Sequence, residues 1–99
     1  MTFTAKTTWG PVDVLIIKPV SVLGVDGFAV HRKLKRHRAV PYSLVISHIG
    51  TGYKLVPTAP ARTVAAAVNN CLDELAQRGI DRAQIERRIL ELSSLDKEA

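Results

Sequence analysis

The chain has 99 residues, of which 46% are hydrophobic and 23% are charged. These values are typical of a globular protein rather than a disordered one, and the length allows one domain with one modest core. No apolar run approaches the roughly 18 residues that a membrane-spanning helix needs. We therefore expect a single soluble domain, residues 1–99, in the cytoplasm, with no signal peptide and with its one cysteine reduced.

The positive charge is concentrated in one short segment. The formal net charge is +5, and residues 31–38 hold five of the 14 Lys and Arg residues and no acid. The rest of the chain is neutral, with nine basic and nine acidic residues. Because five neighbouring like charges repel one another, the segment predicts a partner of opposite sign. The alternative is a solvated basic loop that only aids solubility.

The first quarter of the chain has the pattern of strands separated by turns. Residues 3–8 are rich in β-branched side chains and stop at Trp9-Gly10-Pro11, a strong turn sequence. Residues 12–18 are almost wholly apolar, the exceptions being Asp13 and the terminal Lys18, which predicts a central strand. We expect Pro19 to end this strand, because proline has no N–H to donate to a sheet.

A hairpin is predicted in the middle of the chain. Residues 28–35 alternate in polarity and residues 42–49 form a second β-rich segment, so residues 35–40 should form the tip. The turn Gly50-Thr51-Gly52 should lead into a short returning strand, residues 53–56. One face of the first hairpin strand would carry Phe28, Val30, Arg32 and Leu34.

The last two-fifths of the chain predict two helices. Thr58 is the expected N-cap of the first helix, and Gly79 its C-cap. Asp81 and Gln84 have the spacing of a capping box that opens the second helix. The first helix should bury an apolar stripe made of Ala61, Val64, Ala65, Val68, Cys71, Leu72, Leu75 and Ala76. The second should bury Ile85, Ile89 and Leu92.

Strands followed by helices indicate the α+β class. We expect an antiparallel sheet of four to five strands, residues 1–57, followed by two C-terminal helices, residues 58–95, packed on it. The basic segment would then lie at the end of a protruding β-ribbon. Such a ribbon is narrow enough to enter the major groove of DNA, and its cations can neutralise phosphates. The predicted partner-binding or nucleic-acid-binding residues are Arg32, Lys33, Lys35, Arg36, His37, Arg38 and Tyr42.

No catalytic or metal-binding pattern stands out, and we expect no enzyme, no cofactor and no metal. The three histidines lack cysteine or carboxylate neighbours at ligand spacing. Ser47 and His48 are adjacent, so a strand places them on opposite faces and a hydrolytic triad is not supported. Cys71 lies on the apolar stripe of a helix, where a free cysteine behaves as a small hydrophobic residue.

Residues 42–53, with the sequence YSLVISHIGTGY, are followed by Thr58 and an Ala-rich helix. This arrangement resembles small α+β proteins of phages and other mobile elements, including anti-CRISPR-type inhibitors. It is also similar to the arm-binding domains of phage integrases. The resemblance implies a phage-type inhibitor that acts in the host cytoplasm on a nucleic-acid-handling complex. Many anti-CRISPR proteins are acidic mimics of nucleic acid, whereas this chain is basic.

Three hypotheses follow. In the first, the protein is a non-enzymatic inhibitor whose cationic hairpin binds an acidic protein surface of a nucleic-acid-handling complex, or the nucleic acid in it. In the second, the hairpin belongs to a direct DNA- or RNA-binding module. In the third, the protein is a homodimeric accessory protein that pairs through a sheet edge or through Leu90, Leu92 and Leu95.

Overall fold

A computed structural model describes residues 1–7, 10–35, 38–59 and 61–98. Over these residues the strands precede the helices, which confirms the predicted α+β class. The strands are β1 (Thr2–Thr7), β2 (Gly10–Leu15), β3 (Lys18–Val22), β4 (Val25–Lys35) and β5 (Arg38–His48). The helices are α1 (Val64–Gln77) and α2 (Arg82–Glu98). Neither described helix combines the length and the apolarity that crossing a membrane requires.

The described strands form two antiparallel sheets, where the sequence predicts one. β1 pairs with β2, while β3, β4 and β5 form a second sheet with β4 at its centre. The chain changes sheets between β2 and β3, where the Ile17 N–H donates to the Val30 carbonyl over 2.9 Å. The predicted central strand at residues 12–18 is therefore divided between an edge of each sheet. Pro19 lies inside β3, which tolerates it because an edge strand leaves some N–H positions unpaired.

The predicted hairpin is present as β4 and β5, and it is paired almost to its end. Lys35 pairs with Arg38, so Arg36 and His37, which lie outside the described residues, connect the strands. The pairing is continuous from Phe28 to Arg32 and then shifts register before Leu34. β5 thus begins at Arg38, earlier than predicted and before the proline expected to open it.

The register shift changes the face on which Leu34 lies. Arg32 is opposite Leu44, but Leu34 is opposite Ala39, so β5 accommodates extra residues around Pro41. Leu34 consequently packs with the cluster that contains Ala29 rather than on the face of Phe28 and Val30, as the simple alternation predicts. A proline in this stretch costs no ladder hydrogen bond, since the irregularity leaves positions unpaired.

The predicted returning strand at residues 53–56 does not form. Lys54 makes one isolated bridge to Ser47, and the His48 N–H donates to the Tyr53 carbonyl over 2.9 Å. Before α1 the chain meets β5 again, where the Leu44 N–H donates to the Ala61 carbonyl over 2.8 Å. The isolated bridge to Ser47 nevertheless places Lys54 beside β5.

The central strand β4 is covered on both faces. Between the three-stranded sheet and the helices lies the larger core, which includes Val22, Phe28, Val30, Leu44, Ile46, Cys71, Leu75 and Ile85. On the opposite face, Phe3, Ala5 and Val14 of the smaller sheet pack against Ala29. Burial on both sides explains why β4 has four consecutive buried residues from Phe28 to His31.

The helix termini follow local sequence rules, but both predicted caps of α1 shift. Its C-cap is Arg78, and Gly79, the predicted C-cap, follows it with a φ of +65°. Thr63, rather than Thr58, is the N-cap of α1, and its hydroxyl accepts a bond from the Ala66 N–H over 3.1 Å. The predicted capping box is present: Asp81 and Gln84 bond reciprocally, each backbone N–H donating to the other side chain over 2.9 Å. On α1 the buried positions are Ala67, Cys71 and Leu75, whereas Ala65 and Ala76, expected on the stripe, are exposed.

Candidate functional site

The seven predicted binding residues belong to the two strands of the hairpin and to their connection. Arg32, Lys33 and Lys35 lie on β4, Arg38 and Tyr42 on β5, and Arg36 and His37 outside the described residues. The three cations on β4 are exposed. These three residues follow the buried stretch Phe28–His31 on the same strand. β4 therefore contributes both to the core and to the exposed positive charge.

Acidic residues on the helices form ion pairs. Ion pairs along the helices join Arg78 to Glu74, Arg82 to Glu86 and Arg88 to Glu91, over 2.7, 2.8 and 3.4 Å. No carboxylate within the part of the chain that the structure describes pairs with Arg32, Lys33 or Lys35. The charge of these three side chains is therefore directed to solvent.

A second cationic feature lies at the base of the hairpin, where a pocket of about 260 Å³ opens between the two sheets. Three lysines from separate segments line it: one from β1, one from β4 and one from the segment after β5. The lining residues are Ala5, Lys6, Thr7, His31, Lys33, Leu34, Val45, Ser47, Gly52 and Lys54. No Asp or Glu is among these described lining residues.

Backbone contacts bring the segments of Lys6 and Lys54 together. The Lys6 N–H donates to the Gly52 carbonyl over 2.8 Å, which ties β1 to the turn after β5. Gly52 has φ of +76°, and a Cβ at this position would overlap the Thr4 carbonyl oxygen. Only glycine allows this close approach, so Gly52 holds β1 and the segment of Lys54 side by side.

A buried hydrogen bond between side chains also lines the pocket. The His31 Nδ1 lies 2.8 Å from the Arg32 carbonyl, which can only accept, so Nδ1 carries the proton. The His31 Nε2 then accepts the hydroxyl proton of Ser47, over 2.8 Å. Burial lowers the pKa of His31, and the nearby charge of Lys54 lowers it further, which keeps the imidazole neutral.

Ser47 forms its side-chain hydrogen bond with His31 and not with His48, its neighbour in the sequence. Ser47 lies opposite Ala29, and His31 is two residues further along the same face of β4. Hairpin register together with the two-residue period could have revealed this diagonal pair. The pocket lysines had no comparable signal, because Lys6 and Lys54 are single cations in unremarkable segments.

The positive charge of Lys33 acts on Lys54. Burial of part of the side chain lowers the pKa of Lys54, and the positive charge of Lys33 lowers it further. Two cations held near one another with no lining carboxylate raise the electrostatic energy of the pocket. An anion placed between them would remove this repulsion.

The other residues that the sequence offered for catalysis or metal binding, His48 and Cys71, contact neighbouring residues of the fold. His48 bonds to Thr51 in the turn after β5, and burial lowers the pKa of its imidazole. Cys71 is buried in the larger core, and burial raises the pKa of its thiol to about 11. Among residues 1–7, 10–35, 38–59 and 61–98, no three His, Cys, Asp or Glu residues form a group that could hold a metal ion.

Of the proposed dimer residues on α2, Leu90 and Leu92 differ in exposure. Leu92 is buried in the domain, whereas Leu90 is 69% exposed, and the side chain of Leu95 lies outside the described atoms. The described surface therefore has two cationic features, the hairpin and the lysine-lined pocket, and Lys33 belongs to both.

No protein-family model, curated protein or solved structure matches the chain.

Proposed function

We propose that the protein is a non-enzymatic binding protein that engages a nucleic-acid-handling complex through its cationic hairpin, β4 and β5. The observation that supports this most strongly is the exposure of Arg32, Lys33 and Lys35 without a carboxylate partner among the described residues. Surface cations that served only solubility would be expected to be scattered, as Arg87 and Lys18 are. The resemblance to phage-type inhibitors supports a role as an inhibitor in the host cytoplasm.

The hairpin has a shape and a charge that suit a polyanion. Pairing continues to Lys35 and Arg38, so the cations are carried on a narrow two-stranded ribbon. A ribbon of this width enters a major groove or follows a phosphate backbone, and each neutralised phosphate releases a counterion. If all five cations of residues 31–38 contacted phosphates, the logarithm of affinity would fall with the logarithm of salt concentration with a slope of about −4 to −5.

Direct binding of DNA or RNA is the second candidate, and the same ribbon geometry supports it. In that case the protein binds naked nucleic acid without any host protein. An acidic protein surface would instead be recognised by the same cations in the absence of nucleic acid. For the homodimer hypothesis, Leu90 is exposed but Leu92 is buried, so α2 lends it little support, and pairing through a sheet edge stays a prediction.

Affinity capture from a host lysate, with and without nuclease, tests the proposal. The bait is the full chain, and the test variant is Arg32→Glu/Lys35→Glu. The control variant, Lys18→Glu/Arg87→Glu, has the same net charge and changes exposed cations outside the hairpin. We expect wild type and control to retain components of a nucleic-acid-handling complex that the hairpin variant loses.

The nuclease treatment separates the two partners. Capture that survives nuclease and needs the hairpin identifies an acidic protein surface, whereas capture abolished by nuclease identifies nucleic acid. Equal capture by the hairpin variant and the wild type would contradict the proposal. Equal loss by both charge variants would also contradict it, because net charge alone would then explain the interaction.

A further inference from the structure

The pocket at the base of the hairpin has features that the proposed function does not use. Lys6 and Lys54 lie outside residues 31–38, and they come from segments 48 positions apart in the chain. The structure places both beside Lys33 around a cavity of about 260 Å³. We propose that this pocket binds the phosphate group of a phosphomonoester through the ammonium groups of Lys33 and Lys54, with Lys6 at the same rim.

The charge balance of the pocket favours a compact anion. Besides Lys6, its described lining holds Lys33 and Lys54 and no carboxylate, so no acidic side chain of the lining balances these two charges. Burial lowers the pKa of Lys54, and the charge of Lys33 lowers it further, which is consistent with the two side chains lining the same pocket. A phosphomonoester carries a charge of about −1.5 to −2 at neutral pH, because its second pKa is near 6. One phosphomonoester could therefore balance the charge of two lysines, whereas a carboxylate, with its single charge, could balance only one.

The remaining lining explains why the lysines would dominate recognition. The Ser47 hydroxyl proton is committed to His31 Nε2, so Ser47 has no proton left to donate to an anion. His31 donates its own proton to the Arg32 carbonyl. Ala5, Leu34 and Val45 supply an apolar wall, against which the uncharged body of a ligand can pack. The expected ligand therefore has one phosphate and a small, partly apolar body.

Two sources of this chemistry are distinguishable. One is a free phosphomonoester such as a mononucleotide, and the other is the 5′-phosphate end of a nucleic acid that lies along the hairpin. The site does not depend on the proposed function, since Lys54 is not part of the hairpin. A variant at Lys54 and a variant at Lys35 therefore separate the two proposals.

Isothermal titration of the full chain with adenosine 5′-monophosphate tests the site, with adenosine as the ligand control. We expect the monophosphate to bind at least about tenfold more tightly than adenosine, because adenosine lacks the charge that the lysines contact, and tenfold corresponds to about 1.4 kcal/mol. Lys54→Met and Lys33→Met keep the aliphatic stem and remove the charge, so each should weaken binding by about tenfold. Lys35→Met, which changes a hairpin lysine outside the pocket lining, should bind as wild type does.

A second titration identifies the source of the phosphate. A 5′-phosphorylated oligonucleotide that binds about tenfold more tightly than its 5′-hydroxyl counterpart, with the difference lost in Lys54→Met, supports the nucleic-acid end. Equal binding of the two oligonucleotides, with the monophosphate still preferred over adenosine, supports the free ligand. The proposal is overturned if neither the monophosphate nor the 5′-phosphate improves binding, or if Lys54→Met and Lys33→Met leave that improvement unchanged while their thermal unfolding matches wild type.

Discussion

The Ser47 hydroxyl donates a hydrogen bond to His31 Nε2 over 2.8 Å, across strands β4 and β5. Both residues are buried, with 3% and 4% of their surface exposed. This bond links β4 to β5 within the hairpin. The edge-on contact between the rings of Phe3 and His31, with 5.2 Å between their centroids, then links the hairpin to the smaller sheet. The base of the cationic hairpin is therefore fixed by a neutral polar pair.

Removing the Ser47 hydroxyl should destabilise the fold. Ser47→Ala leaves the buried Nε2 of His31 without its donor, which costs about 1–3 kcal/mol. Urea denaturation of Ser47→Ala would measure the loss, with Ser94→Ala on the exposed surface of α2 as the control. A loss no larger than that of Ser94→Ala would show that the bond contributes nothing to stability.

The stability of the protein should decrease with acid because of His31. Its folded-state pKa is below the ordinary value of 6.5, so the unfolded chain takes up the proton at a higher pH than the folded chain does. The stabilisation present above pH 6.5 is then lost progressively as the pH falls toward the folded pKa. Free energies of unfolding at pH 7.5 and 5.5 should differ less in His31→Gln than in wild type. His48, whose pKa is also lowered, acts in the same sense in both proteins and leaves a residual slope. An identical pH difference in both would contradict this role.

The stability cost of the close approach at Gly52 can be measured separately from the cost of its positive φ. Gly52→Ala should cost roughly 2–4 kcal/mol, since a Cβ would overlap the Thr4 carbonyl oxygen and alanine is strained at this φ. Gly79 has a φ of +65°, but a Cβ added there would meet no atom within 4 Å, so Gly79→Ala should cost only about 1–2 kcal/mol. Thermal or urea unfolding compares the two. Equal losses would mean that the contact between Gly52 and β1 is not tight.

Leu23 occupies an unfavourable backbone conformation for its type. It lies in the two-residue turn between β3 and β4 with φ of +51°, and its side chain is 41% exposed. Asparagine tolerates this region far better than leucine, so Leu23→Asn should stabilise the protein by about 1 kcal/mol. A higher unfolding midpoint at unchanged denaturant dependence would confirm the effect, whereas a lower one would show that packing of the leucine outweighs the backbone strain.

The parts of the fold that could be predicted from sequence depend on local physics. The hairpin follows from alternation of polarity, and the capping box follows from Asp81 and Gln84 at a fixed spacing. The α+β class follows from strands preceding helices. Each of these features is determined by side chains within a few residues of one another.

The features that were missed depend on contacts between distant segments. The division into two sheets is decided at Ile17, where a short connection moves the chain from one sheet to the other. The face of Leu34 is decided by a register shift near Pro41. The lysine pocket requires Lys6 and Lys54 to meet across the Gly52 turn, and no periodic pattern encodes that contact. The charge of the hairpin is therefore visible in the sequence, whereas its extension into the pocket is not.

The central claim is that the anion-binding surface is the hairpin itself, and elution from a heparin column tests it directly. The compared variants are Arg32→Glu/Lys35→Glu and Lys18→Glu/Arg87→Glu, which have equal net charge. If the hairpin is the binding surface, the first variant elutes at a clearly lower salt concentration than the second, which stays close to wild type. Equal shifts of the two variants would contradict the claim, because retention would then follow net charge and not the hairpin.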